Sequence, residues 1–334
     1  MTDQTPSRET EPAKSSGRID AIDVARGAAL VAMAIYHLAW DLEFFGYLTP
    51  GMTATGGWKL FARAIASSFL FLVGVSLFLG HGNGIRWRGF RKRFAMVAVA
   101  ALAISAATYF AVPNGFIFFG ILHQIALASI LGLAFLRLPA VVTLAVAAAV
   151  IAAPHVLRSS LFDAPWWWWT GLSETRVRSN DYVPVFPWFA AVLTGIAATK
   201  IAKASGWLAR LGAMRVPGWT WPLSFGGRHS LAVYLIHQPV LLACVWLFSQ
   251  IMPPQDIPRE VLFQRSCEAT CGEQRDSRFC SVYCVCVLAT LERDGAIDAF
   301  YAGEQSPQLT ETAENAAAQC SIETDNALLE GGNP

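Results

Sequence analysis

Seven apolar blocks of roughly 20 residues recur along the chain, at about 28–48, 59–80, 93–112, 116–136, 138–157, 184–202 and 229–251. A helix rises about 1.5 Å per residue and a bilayer's hydrocarbon layer is about 30 Å thick, so each block predicts a membrane-spanning α-helix. The polar segments between them are short, apart from one at 158–183. Residues 1–17 (MTDQTPSRETEPAKSSG) have two prolines and no apolar face, which predicts a flexible extension. The first block starts only after Arg18 and Arg26 and is interrupted by His37, Asp41 and Glu43. It lacks a small-residue cleavage site, so it reads as a span and not as a removable leader.

Composition agrees with this reading. Of the 334 residues, 54% are hydrophobic and 15% charged, which excludes disordered, collagen-like and ordinary soluble classes. The net charge of +1 conceals an asymmetry: residues 251–334 hold 14 acidic and 5 basic side chains, leaving 10 acidic and 20 basic before them. Lys and Arg beside spans are retained on the cytoplasmic side. Arg86, Arg88, Arg91, Lys92 and Arg93 mark the link between the second and third blocks. Lys200, Lys203, Arg210, Arg215 and Arg228 mark the one between the sixth and seventh. Links at 49–58 and 112–115 carry no Lys or Arg and belong to the opposite face. The long segment carries Arg158, Arg176 and Arg178 against Asp163, Glu174 and Asp181, and alternation of the spans places it outside. The expected protein is an all-α polytopic membrane protein with about seven transmembrane helices. It divides into a disordered cytoplasmic extension (1–17), a transmembrane domain (18–251) and an extracytoplasmic cysteine-rich helical tail (252–334), partly disordered at its end.

Six of the seven cysteines lie in that tail. Cys267, Cys271, Cys280 and Cys284 form C-x3-C, eight residues, C-x3-C. On helices the two members of each pair share a face, so two antiparallel helices can be stapled by Cys267–Cys284 and Cys271–Cys280, in an oxidising compartment. With Cys286 and Cys320 the six allow 15 pairings, and free thiols or a zinc site are the alternatives. No tail histidine and no C-x2-C spacing supports zinc, and no metal is expected. Cys244, in the last span, reads as an inert apolar filler.

Ionisable groups inside spans are costly and mark function, which selects His37, Asp41, His123 and His237. His37 and Asp41 stand i, i+4 on one helical face, where a carboxylate can orient an imidazole for general-base work. A bundle-stabilising hydrogen-bond network is the non-catalytic alternative. Arg26 and Arg228 sit where two spans enter from the cytoplasm and suit an anionic, phosphate-bearing ligand, although topology alone also accounts for basic residues there. Pro165 and Trp166–Trp169 form an interfacial aromatic belt or a sugar-stacking platform. Nucleotide-loop and soluble-hydrolase motifs are absent, and no nucleic-acid partner is expected.

The stretch Arg18-Ile19-Asp20-Ala21-Ile22-Asp23-Val24-Ala25-Arg26-Gly27, with Met33, Tyr36-His37 and Asp41, resembles the opening of the bacterial relatives of heparan-alpha-glucosaminide N-acetyltransferase. Gly120–Ala126, Asp181–Phe189 and Gly227-Arg228-His229-Ser230-Leu231 leading to Tyr234–Pro239 fit the same family, in the same order, over about residues 18–245. The resemblance implies an integral-membrane acyltransferase of the bacterial inner membrane, amino terminus inside and tail periplasmic. It takes acetyl-CoA from the cytoplasm and acetylates an amine or hydroxyl of a glycan or amino sugar on the far side. Arg26, Arg228, His229 and Ser230 then belong to the CoA side, and His37, Asp41, His237 and His123 to the chemistry. In the lysosomal members the position of His37 corresponds to an asparagine and the catalytic histidine falls near Leu48. Either His37 is the base, directly or as a transient acetyl carrier, or it donates a hydrogen bond to the acetyl oxygen and His237 or His123 is the base. The bilayer is a partner, and a homodimer is compatible with the reading. The rival readings are a proton-coupled transporter or flippase of a lipid-linked sugar, and a scaffold whose tail recruits an outer partner.

Overall fold

The computed structural model describes residues 19–175, 177–254, 258–302 and 306–330, without the side chains of Asn114 and Glu330. The expected extension 1–17 and Arg176 lie outside these residues. Every regular element among the described residues is helical. Among the described residues five helices are long and apolar enough to cross a membrane: α1 (Asp20–Phe44), α2 (Gly56–His81), α3 (Trp87–Ala111), α6 (Val185–Ala204) and α9 (Ser230–Ile251). Two expected spans are shorter. Helix α4 (Ile121–Phe135) has 15 residues and α5 (Ala140–Val156) has 17, hence lengths of about 22 and 26 Å. The link after α6 contains two helices that periodicity did not announce, α7 (Trp207–Ala213) and α8 (Trp221–Arg228).

Two boundaries differ from expectation for identifiable reasons. Helix α1 begins at Asp20, not near 28, because Asp20 and Asp23 in its first turn complement the positive end of the helix dipole. Helix α4 begins at Ile121, not 116. Residues 116–120 are held off helical geometry by bonds that replace the helical ladder. The Ile117 amide donates to Thr108 Oγ1 (3.0 Å), Ser105 Oγ donates to the Ile117 carbonyl, and the Val183 amide donates to the Phe119 carbonyl (3.1 Å). Non-helical backbone is tolerated at an apolar depth only when its polar groups are satisfied in this way.

The chain forms two compact units. One holds residues up to Leu30 and Ala66–Val233. Its core is α6, where Val192, Leu193, Ile196 and Ala197 are fully buried, packed against α4 and α5. Helix α2 reaches α6 by backbone contact: a Cβ on Gly74 would lie 2.0 Å from the Val192 carbonyl oxygen, and one on Gly195 2.1 Å from that of Phe71. Only glycine permits this approach. Lys203 Nζ donates to Asn83 Oδ1 (2.7 Å), and Lys200 Nζ donates to the carbonyls of Phe135 and Leu138. The α2–α3, α4–α5 and α6–α7 links therefore share one face. Opposite them the 158–183 segment meets the α3–α4 link, through the Asn180 amide and the Gly115 carbonyl (2.9 Å). The positive charges of that segment do not pull it to the basic side.

The other unit holds Val31–Ile65 and the chain from Tyr234 onward. Its tail comprises α10 (Arg259–Cys271), α11 (Ser277–Arg293), α12 (Ile297–Tyr301) and α13 (Pro307–Glu330). The nested bridges Cys267–Cys284 and Cys271–Cys280 are both present, and Cys286–Cys320 ties α11 to α13. Around the last bridge Phe263, Val287, Leu291, Ala296 and Ala316 form a small core. Such a tail has too little apolar area to hold itself, and bridges supply the difference. Among the described residues the sole His/Cys/Asp/Glu group at metal-ligand spacing is Cys286, Cys320 and Glu323, whose two sulfurs are already bonded to each other. Cys244, expected as an apolar filler, is free and exposed on α9.

Candidate active site

Helices α1 and α9 bring two imidazoles into contact. The rings of His37 and His237 lie 5.0 Å apart, edge to face, and both are half-buried. His237 Nδ1 lies 2.6 Å from the Tyr234 carbonyl oxygen. A carbonyl can only accept, so Nδ1 carries the proton and Nε2 is the basic nitrogen of neutral His237. One turn along α1, Asp41 is fully buried. Its Oδ1 accepts from Gln238 Nε2 at 2.6 Å, while Oδ2 and Gln238 Oε1 meet no donor among the described residues. The i, i+4 spacing of His37 and Asp41 thus does not produce a hydrogen bond between them. Gln238, next to His237, takes that place.

The same unit supports His37 from behind. Tyr36 packs edge-on against it, with centroids 5.8 Å apart, and donates its hydroxyl to the Thr53 carbonyl (3.2 Å). Glu43 spans the α1–α2 link, accepting from the amides of Gly51 (2.6 Å) and Thr53 (2.8 Å).

His123, in the other unit, is built differently. The Gly120 amide donates to its Nδ1 (3.2 Å), which requires the proton to be on Nε2, 3.2 Å from Ser105 Oγ. Ser105 in turn gives its proton to the Ile117 carbonyl. The pair resembles a nucleophile and base in composition, but the proton runs from imidazole to hydroxyl, the reverse of what nucleophile activation needs. The two residues tie α3 to the start of α4.

Arg26 and Arg228 converge through glycine. A Cβ on Gly27 would lie 2.0 Å from the Leu223 carbonyl oxygen, and one on Gly227 would lie 1.9 Å from that of Asp23, so α1 and α8 cross backbone to backbone. The crossing sets buried Asp23 between Arg26 (2.8 Å) and Arg228 (3.6 Å), and Arg228 also reaches Asp20 (3.1 Å). Arg26 further donates to Ser76 Oγ. Asp20, Thr220, Trp221, Ser224 and Arg228 line an open pocket of about 160 Å³. His229 stacks on Phe225, with centroids 4.6 Å apart, and binds its carbonyl through Nδ1 (3.0 Å), while Ser230 opens α9. The charges proposed for an anionic ligand are thus partly balanced by Asp20 and Asp23. The sequence did not single these carboxylates out, although both lie in the stretch that carried the resemblance.

On the opposite face of that unit, the 158–183 segment is a folded structure. The Asp163 carboxylate accepts from Ser173 Oγ (2.7 Å) and from the amides of Glu174 (2.8 Å) and Thr175 (3.1 Å), which hold it below the usual carboxylate range. Trp168 is pinned inside, its indole donating to the Asp163 carbonyl (2.8 Å) and its own carbonyl accepting from Tyr182 (2.6 Å). Trp166 is exposed. Asp181 caps α4 by accepting from the Ile121 amide (2.8 Å). Burial raises its carboxyl to about 6, against that hydrogen bond.

Residues that the sequence offers only inside motif stretches, with no role, are Gln238, Tyr234 and Gln124. Gln124 is fully buried on α4 with neither amide atom partnered among the described residues.

Comparison with curated proteins and with solved structures gives no match. Comparison with protein families gives one that carries the description heparan-alpha-glucosaminide N-acetyltransferase, catalytic, matched over residues 18–239. The match takes in His37, Asp41, His123, His237, Gln238 and the Arg26/Arg228 crossing, and ends before the tail. With two thirds of its length covered, this multi-pass membrane protein belongs to the heparan-alpha-glucosaminide N-acetyltransferase family of acetyltransferase-type enzymes.

Proposed function

We propose that the protein moves an acetyl group from cytoplasmic acetyl-CoA to an amine or hydroxyl of a glycan or amino sugar on the extracytoplasmic side. The observation that carries this reading is the His37–His237 contact, in which His237 is fixed with Nε2 as its basic nitrogen. The acceptor must lose a proton as its nitrogen or oxygen attacks the thioester carbonyl, and His237 Nε2 receives it. The C–S bond then breaks and CoA leaves as the thiolate, which takes up a proton. In this reading His37 donates to the acetyl oxygen, where negative charge develops. This assignment takes the second of the alternatives raised by the resemblance, because the Asp41 hydrogen bond goes to Gln238 and not to His37.

The donor enters beside Arg26, Arg228, His229 and Ser230. Asp20 and Asp23 hold the two guanidiniums, and phosphates compete for them. The face that gathers the basic α2–α3, α4–α5 and α6–α7 links supports a cytoplasmic position for that entrance. The three disulfides support an oxidising compartment for the tail, a periplasm in a bacterial inner-membrane protein.

The test is transfer of radiolabelled acetyl from acetyl-CoA to amino-sugar glycans in oriented vesicles, with wild type, His37→Ala and His237→Ala. Label should reach the acceptor only when CoA and glycan are on opposite sides, and both variants should lose transfer. Absence of any transfer by wild type, with proton-coupled sugar flux instead, would overturn the reading.

A further inference from the structure

The tail lies outside the family match and, within the unit that also carries the histidine pair, meets the start of α2 through a charged contact. Glu273 stands in the turn between α10 and α11, two residues after Cys271, and the Cys271–Cys280 bridge closes that turn. Its Oε2 lies 2.8 Å from Lys59 Nζ, and its Oε1 accepts from the Gly56 amide (3.3 Å) in the first turn of α2. Lys59 and the Gly56 dipole end, with Arg63 farther off, hold the Glu273 carboxyl below its ordinary range, so it is charged at neutral pH. A second attachment stands at the other end of the α1–α2 link, where Tyr47 donates to the Met252 carbonyl and Gly46 faces Pro254.

Between these two attachments runs the α1–α2 link, and its inner contacts lead to the histidines. Glu43 holds the amides of Gly51 and Thr53, the Thr53 carbonyl holds the Tyr36 hydroxyl, and Tyr36 packs on His37. Lys59 is also a lysine at the end of α2 where the charge rule expects none. An acidic tail docked there accounts for it.

We infer that the tail is a strap on the α1–α2 link and that Glu273 is a positioning residue. By clamping the start of α2, Glu273 sets the link whose far side supports Tyr36 and His37. It touches no reacting atom. The activity part of this inference rests on the proposed acetyl transfer, whereas the clamp itself does not.

The experiment uses the full chain with Glu273→Gln, Lys59→Met and the double variant, each first shown to retain its three disulfides. Hydrogen exchange of the amides of residues 49–58, read by mass spectrometry, should quicken about two- to fivefold in Glu273→Gln, the range expected of an exposed charged contact. Lys59→Met should do about the same, since either change removes the ion pair and leaves the Gly56 amide an acceptor, and the double variant should match either single one. In the transfer assay Glu273→Gln should raise the acceptor KM by a similar factor and leave the acetyl-CoA KM unchanged. Unaltered exchange overturns the clamp whether or not transfer is ever observed. Faster exchange with unaltered acceptor KM in an enzyme that does transfer acetyl overturns the positioning role.

Discussion

His237 donates its Nδ1 proton to the carbonyl of Tyr234, three residues earlier on the same helix, at 2.6 Å. That local bond decides which nitrogen of the ring can act as a base. It also separates His237 from His123, whose Nδ1 accepts a backbone proton and whose Nε2 must donate. Two histidines that look equivalent in a sequence thus have opposite tautomers.

The tautomers predict opposite kinetic outcomes. His237→Ala should lower kcat for acetyl transfer by about 10²–10⁴-fold, the range of a lost general base. His123→Ala should leave kcat within about tenfold, below that range, and lower the thermal midpoint as the α3–α4 link loosens. Steady-state kinetics beside a melting curve separates the two, and a His123→Ala enzyme as dead as His237→Ala would reverse the assignment.

The α1–α8 crossing should tolerate no side chain. Gly27→Ala places a methyl 2.0 Å from a backbone oxygen, which no rotamer change relieves. A destabilisation of about 2–3 kcal/mol or more is expected, with low folded yield. Gly57→Ala is the control, because nothing lies within 4 Å of its added Cβ. Equal melting temperatures for the two variants would contradict the crossing.

Asp181 should give the protein a stability that declines as pH rises. Its carboxyl titrates near 6 when folded and near the ordinary aspartate value of 3.8 when unfolded, so between those values the folded state holds more protons. Unfolding free energy therefore falls from about pH 4 to about pH 6 and then levels off for this group. Asp181→Asn keeps an oxygen for the Ile121 amide and carries no charge. It should abolish that slope and be more stable than wild type at pH 7 by up to roughly 3 kcal/mol. Melting curves in detergent across this range give the answer, and an unchanged slope in the variant would rule the group out.

Thiol labelling should count the tail bridges. Without reductant a maleimide should modify Cys244 alone, and after reduction and unfolding all seven cysteines should react. Replacing Cys286 and Cys320 by serine should cost the tail about 2–4 kcal/mol, because a loop of 34 residues is released in the unfolded chain. Intact mass spectrometry reads the first result and hydrogen exchange of α13 the second. More than one label before reduction would refute the pairing.

Much of this protein was legible in its residues because a bilayer imposes strict rules. Apolar length, Lys and Arg placement and i, i+4 cysteine spacing are local properties, and they sufficed for the helical class, the two-faced order of the links and the nested bridges. The family was legible from dispersed motifs such as Arg26-Gly27 and Gly227-Arg228. Tertiary structure alone decided what those residues do. It turned the two glycines into one crossing and put Asp23 between two arginines. It gave Asp41 to Gln238 instead of His37, and it brought Glu273 onto Lys59, 214 residues away in the chain. Periodicity reports which face a side chain takes, whereas a hydrogen bond depends on which partner arrives there, and that is fixed only when distant helices pack.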